Sequence, residues 1–226
     1  MTAASRRRIY LMRHAQVRYF QGEHPSDVQL TEAGRAQAEA ASAALGGIRF
    51  DRVVTSGLAR TLQTARIVVP KTQPERTPEL REIESGDIRR LAPEVVQEMM
   101  TAAFRGTVPL ETRFLGGETI GALLDRVLPE LDALLADRSW DVALLVLHGG
   151  VNRAILSRAV TGGRTFLGGF EQSPGCINVL DVDAEGAFVV RAVNHTPYDP
   201  AHVAAPRLTT MEQLWREYLD SRERNP

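Results

Sequence analysis

Arg13 and His14 stand directly after the apolar run IYLM at 9–12, and His148 follows the apolar run VALLVL at 142–147. A third such run, RVVT at 52–55, ends at Ser56, with Arg60 in the first turn of the helical pattern behind it. In an open α/β sheet the ligand crevice lies at the carboxyl edge of the strands, where helix N-termini also present their positive ends. Arg13, His14, Arg60 and His148 are therefore expected to converge on one anion, with Gly149 opening the next helix beside them. A guanidinium fork matches phosphate oxygens in pairs, so phosphate is the natural guest. Two carboxylates, Glu82 and Glu84, lie two residues apart in LREIESG. In an extended segment both would face the same side, and spacing does not choose which of them moves a proton.

The elements that must hold these groups are legible as an alternation of short apolar runs and helical patterns. The three runs are apolar on consecutive residues, as expected of parallel strands buried on both faces. The segment 177–193 reads as a hairpin around DAEG, where Gly186 supplies a positive φ. Thr31 caps a helix over 32–45 closed by Gly46 and Gly47; the next helical pattern stops at Pro70. A third helix is expected from Pro93 to Gly106, and a fourth over 119–136 with a bend at Pro129. A Thr210-to-Gln213 capping box opens a C-terminal helix. The stretch 85–117 breaks the rhythm and reads as a helical cap inserted into a single domain spanning 1–226. The fold class expected is a three-layer α/β/α sandwich: a mostly parallel central sheet, one antiparallel edge strand and the small cap.

The 226 residues, 43% hydrophobic and 24% charged, suit a globular chain with a sizeable core. Lys and Arg number 27 against 28 Asp and Glu, a net charge of −1, so no broad basic field exists for nucleic acid or a membrane surface. Arg6, Arg7 and Arg8 read as a solvated lead-in to the first strand. The single cysteine, Cys176, excludes an intrachain disulfide and fits a reducing compartment. No apolar stretch approaches the roughly 18 residues of a membrane span, and the N-terminus lacks the apolar core of a secretion signal, so the cytoplasm is expected. The five histidines, His14, His24, His148, His195 and His202, lack the close spacing of metal sites, so no metal or other cofactor is expected. Composition leaves a homodimer open.

Taken in order, LMRHAQ, SGLARTLQTA, LREIESGD and LHGG resemble the four signatures of the histidine phosphatase superfamily, also called phosphoglycerate-mutase-like. DVQLTEAGRAQA at 27–38 is similar to the segment after its first motif, so the likeness runs from residue 9 to about 152. The resemblance implies that His14 is the nucleophile that becomes phosphohistidine, that Arg13, Arg60 and His148 hold the phosphoryl oxygens, and that Glu82 is the proton donor. It implies a metal-independent phosphatase acting on a small phosphorylated substrate.

Three departures fall around recognition. Ala15 stands where the family usually has Gly, and IRR at 88–90 stands where it usually has WEG. Phe20 stands where an Asn phosphate donor is common, leaving room for another donor such as Arg18. The insertion offers Arg89, Arg90, Arg105 and Arg113 beside Leu91, Met99, Met100, Phe104, Phe114 and Leu115, and it could meet an acidic or an apolar leaving group, or simply pack the cap. The alternatives are a phosphoglycerate mutase, disfavoured by the short separation of Glu82 from His148, and a non-catalytic phospho-ligand or protein-binding module. A pure binder would have no use for the proton donor.

Overall fold

The computed structural model describes residues 6–21, 24, 26–88 and 91–224, so Arg89 and Arg90 of the expected cap lie outside the described residues. Among the described residues six strands form one sheet: β1 (Arg7–Arg13), β2 (Arg52–Thr55), β3 (Glu75–Arg76), β4 (Val142–Leu147), β5 (Ile177–Val182) and β6 (Phe188–His195), in the order β3-β2-β4-β1-β5-β6. β3, β2, β4 and β1 run parallel. β5 lies antiparallel to β1 and turns back into β6, so the antiparallel edge is a hairpin whose turn carries Gly186 at φ 86°.

Alternation along the central strands divides the core into two layers. Ile9, Leu11, Leu145 and Leu147 pack with α4 (Ile120–Ala136) and α5 (Gly149–Thr161). Met12, Val53, Leu144 and Val146 pack on the other face with Ala38, Ala41 and Leu45 of α1 (Glu32–Leu45) and Ala65 and Val68 of α2 (Ala59–Val68). Helices on both faces are what allow β4 to be apolar at every residue. Thr31 caps α1 by accepting the Gly34 amide. α4 runs through Pro129 as one helix and is capped by Thr119.

The cap is a third cluster. α3 (Pro93–Ala102) and the turn at 114–116 pack with α6 (Thr210–Arg224) around Val96, Met100, Leu115, Met211 and Tyr218. The C-terminal helix is thus half of the cap.

Three expectations need correction. α3 ends at Ala102 rather than Gly106 because Phe104 turns to φ 60°, against the backbone of Gly168, where a Cβ would lie 2.3 Å from the Phe104 carbonyl carbon. The capping box is Thr209 with Glu212: the Thr209 amide donates to the Glu212 carboxylate at 2.7 Å, and the Glu212 amide to the Thr209 hydroxyl at 3.1 Å. Arg7 is no solvated lead-in. It is buried in β1, donates to the Leu135 and Asp137 carbonyls, and lies 4.2 Å from the Trp140 ring centroid.

Candidate active site

β1 delivers Arg13 and His14 to the carboxyl edge, where their amides donate to the Cys176 and Leu147 carbonyls. The His14 ring is 1% exposed, and its Nδ1 lies 2.8 Å from the Ala15 carbonyl. A carbonyl only accepts, so Nδ1 carries the ring proton and Nε2 is left with its lone pair. Burial, then the charges of Arg60 and Arg13, hold the His14 pKa well below its ordinary value of 6.5. The result is a neutral imidazole whose bare nitrogen has no partner among the described residues.

His148 stands at the N-cap of α5, its ring centroid 5.3 Å from that of His14. Its Nε2 lies 2.8 Å from Ser56 Oγ at the end of β2, and its Nδ1, like Arg13 Nε, is buried without a partner among the described residues. Burial, then Arg60, His14, Arg13 and Arg126, hold its pKa well below 6.5. Arg60 is buried in the first turn of α2, its guanidinium carbon 5.9 Å from the Tyr19 ring centroid. Arg13 is steered by a 2.5 Å hydrogen bond to the Gln172 carbonyl, and Gln172 is itself tied to Asn178. The Thr64 hydroxyl accepts the Ala15 amide while donating to the Arg60 carbonyl, linking the two halves of the pocket.

The two carboxylates part. The segment around them is not a regular strand: Ile83 is buried in the core, Glu82 turns inward and Glu84 turns out to pair with Arg81 at 2.8 Å. Glu82 Oε1 accepts the Gly150 amide at 3.0 Å and the Ile83 amide at 2.9 Å. A Cβ on Gly150 would sit 2.7 Å from Glu82 Oε1, and one on Gly149 would lie 3.6 Å from Arg13 Nε and 3.7 Å from Glu82 Oε2. The two glycines thereby leave room for the Glu82 carboxylate and the Arg13 guanidinium at the first turn of α5.

Sequence reading missed the residues that brace these groups. Arg126 of α4, with only 9% of its side chain exposed, donates to the carbonyls of Glu79, Arg81 and Glu82 and to both oxygens of Glu118. Arg153, buried in α5, donates to the Gly149 and Gly168 carbonyls and lies 4.8 Å from the Phe104 ring centroid; burial brings its pKa down to about 10. The available signal was an arginine set into an otherwise apolar helical stripe. Arg18 is exposed, and its charge acts on Glu217 of α6, whose carboxyl burial pushes up to about 7. Phe20 turns away to the cap, its ring 5.4 Å from that of Tyr218. Among the described residues, no group of three or more His, Cys, Asp or Glu side chains could hold a metal ion, and no helix is long and apolar enough to cross a membrane.

A bare imidazole nitrogen facing two arginines, with a second histidine and a carboxyl beside it, can accept a phosphoryl group and manage the leaving-group proton. Comparison with known proteins agrees with this chemistry. Residues 9–196 match the model of the histidine phosphatase superfamily, branch 1. The adenosylcobalamin/α-ribazole phosphatase of Salmonella typhimurium is 28% identical over 83% of this chain and 96% of its own length. The wheat (Triticum aestivum) 2-carboxy-D-arabinitol-1-phosphatase is 28% identical over 87% of this chain, which spans only 42% of that relative. In fold, a mycobacterial glucosyl-3-phosphoglycerate phosphatase superposes with a TM-score of 0.67 at 24% identity, over 84% of this chain and 99% of its own.

Proposed function

The chain belongs to the histidine phosphatase superfamily, and from that premise we propose that it hydrolyses small phosphomonoesters, without a metal ion, through a phosphohistidine on His14. The observation that carries this reading is the His14 ring: its Nδ1 proton is donated to the Ala15 carbonyl, and its unprotonated Nε2 is buried beside the charges of Arg13 and Arg60.

Nε2 attacks phosphorus, the N–P bond forms as the ester P–O bond breaks, and Glu82 gives its proton to the departing oxygen. Arg13, Arg60 and His148 hold the phosphoryl oxygens, with Gly149 opening the helix beneath them, so charge is met by fixed donors while bonding to phosphorus is partial. Glu82, again a carboxylate, takes a proton from the water that cleaves the N–P bond, and phosphate leaves. Splitting the displacement in two lets one set of donors serve both halves. Phosphatase names among its relatives support hydrolysis, and relatives named as phosphoglycerate mutases keep the mutase as the second reading. The buried lone Cys176 supports a reducing compartment such as the cytoplasm.

Rapid quenching of the wild-type chain with p-nitrophenyl phosphate in excess EDTA tests this directly. An acid-labile, base-stable phosphoenzyme is expected, absent from His14→Ala together with turnover. Turnover surviving in folded His14→Ala removes the nucleophile; turnover lost to EDTA and restored by a divalent metal removes metal independence. Phosphate binding with no hydrolysis would leave a binding module.

A further inference from the structure

Four contacts around Ser56 decide where protons sit at the floor of the pocket. The Thr61 hydroxyl lies 2.8 Å from the Leu58 carbonyl, which can only accept, so the one Thr61 proton belongs to that contact. Two oxygens at that distance with no proton between them would repel. Ser56 Oγ, 3.1 Å from Thr61 Oγ1, must then donate to Thr61 and has no second proton to offer. The 2.8 Å contact between Ser56 Oγ and His148 Nε2 is therefore made by a proton on Nε2. The Leu58 amide, at 3.3 Å, fills the other lone pair of Ser56. Every group is satisfied in this one direction, and neutral His148 is left with a bare Nδ1.

Nδ1 is also the His148 ring nitrogen without a partner among the described residues, the one left to meet an anion. A lone pair there would repel a phosphate oxygen. We propose that Ser56 and Thr61 make anion binding at this site proton-coupled: His148 is neutral with its proton on Nε2 when the site is free, takes a second proton from solvent onto Nδ1 as the dianion enters, and returns it as phosphate leaves. This rests on the anion-binding reading above. One proton crosses from solvent and no other bond changes.

The surroundings support both halves of the cycle. Burial, then Arg60 from α2, His14 and Arg13 from the end of β1, and Arg126 from α4, disfavour the imidazolium in the free site. Glu82, on the Gly150 amide two residues on, is the carboxylate of the same turn. A bound dianion reverses the balance, because opposite charge within a few ångströms favours the charged ring. Thr61 is 0% exposed and acts only through Ser56, as a positioning residue.

The test uses tungstate, a dianion that does not titrate near neutrality, in calorimetric titrations near pH 8 in buffers of differing ionisation enthalpy. About one proton should be taken up per anion bound. Nitrogen-15 NMR of the free chain should show His148 protonated at Nε2 and bare at Nδ1, and both nitrogens protonated once tungstate is bound. Thr61→Val keeps the side-chain shape but frees the Ser56 proton to donate to Nε2, so the neutral ring moves its proton to Nδ1 and the anion binds with no uptake. Thr61→Ser restores the wild-type count. Tungstate bound without proton uptake, or Nδ1 protonated in the free wild-type chain, overturns the inference, and the NMR result stands even if Thr61→Val does not fold. An absence of tungstate binding removes the anion site itself and the inference with it.

Discussion

The carboxylate of Glu82 is seated on the first turn of α5, its Oε1 3.0 Å from the amide of Gly150, two residues past His148. That contact assigns one of two neighbouring glutamates to the pocket. A proton donor matters most when the leaving group is poor, because an alkoxide needs a proton in the transition state and p-nitrophenolate scarcely does. Glu82→Gln should therefore slow hydrolysis of an alkyl phosphate about 10²–10⁴-fold more than that of p-nitrophenyl phosphate, read in kcat/KM. Glu84→Gln, removing an exposed ion pair with Arg81, should show no such contrast. The opposite pattern would move the role to Glu84.

Arg126 gathers three carbonyls of the segment that carries Glu82 and the carboxylate of Glu118, whose side chain is 11% exposed. Arg126→Met strips partners from all of them and leaves a buried charge, a loss of about 3–5 kcal/mol measurable by chemical denaturation. Pairing it with Glu118→Met should recover part of the stability but not alkyl phosphate turnover. Full recovery of turnover in the double variant would show that Arg126 does not hold Glu82 in place.

Phe20 occupies the left-handed region at φ 59° while its ring packs edge-on to Tyr218, so backbone strain and an aromatic contact oppose each other at one residue. A non-glycine residue there costs about 1–2 kcal/mol, a cost that Asn lowers, and an aromatic pair is worth about 0.5–1.5 kcal/mol beyond burial. Phe20→Asn should therefore be less destabilised than Phe20→Ala, compared by urea midpoints. A Phe20→Asn variant weaker than Phe20→Ala would mean that strain contributes nothing there.

His14 and His148 are both buried and both hold pKa values well below 6.5, chiefly by burial. As pH falls through 6.5, the unfolded chain binds protons at both while the native chain does not, so stability falls with falling pH until the native values are reached. Each histidine contributes a slope of up to about 1.4 kcal/mol per pH unit in that window. Urea midpoints measured between about pH 7 and pH 5 should fall, and the fall should be shallower in His148→Asn. Equal slopes in the two chains would contradict the neutral, buried state of His148.

Much of this was legible in the residues, and what was not has definite physical causes. The runs at 52–55 and 142–147 matched β2 and β4 residue for residue: β4, buried on both faces, is apolar throughout, and β2 carries buried Val53 and Val54 between Arg52 and Thr55. Thr31 and the 32–45 helix were equally plain, since a hydroxyl before an Ala-rich run leaves few alternatives. β3, two exposed residues, carries no periodicity to read. The capping box slipped by one because Thr209 and Thr210 are both competent caps, and only the helix start selects between them. The candidate residues at the strand ends were visible, but Arg126 and Arg153 were not: a charge on a helix normally faces water. These two are buried because loop carbonyls, set by tertiary closure, wait for them.

Cys176 offers a way to watch the pocket open. Its thiol is fully buried, pushed up to about 12 chiefly by burial, while its carbonyl holds the Arg13 amide. Thiolate is the reactive form, so the folded chain should be silent toward alkylating and disulfide reagents at neutral pH. Labelling can proceed only when the floor beneath Arg13 detaches, and its rate becomes a clock for that local detachment. With a single thiol in the chain, the signal needs no engineering, and an anion gripped by Arg13 should slow the clock.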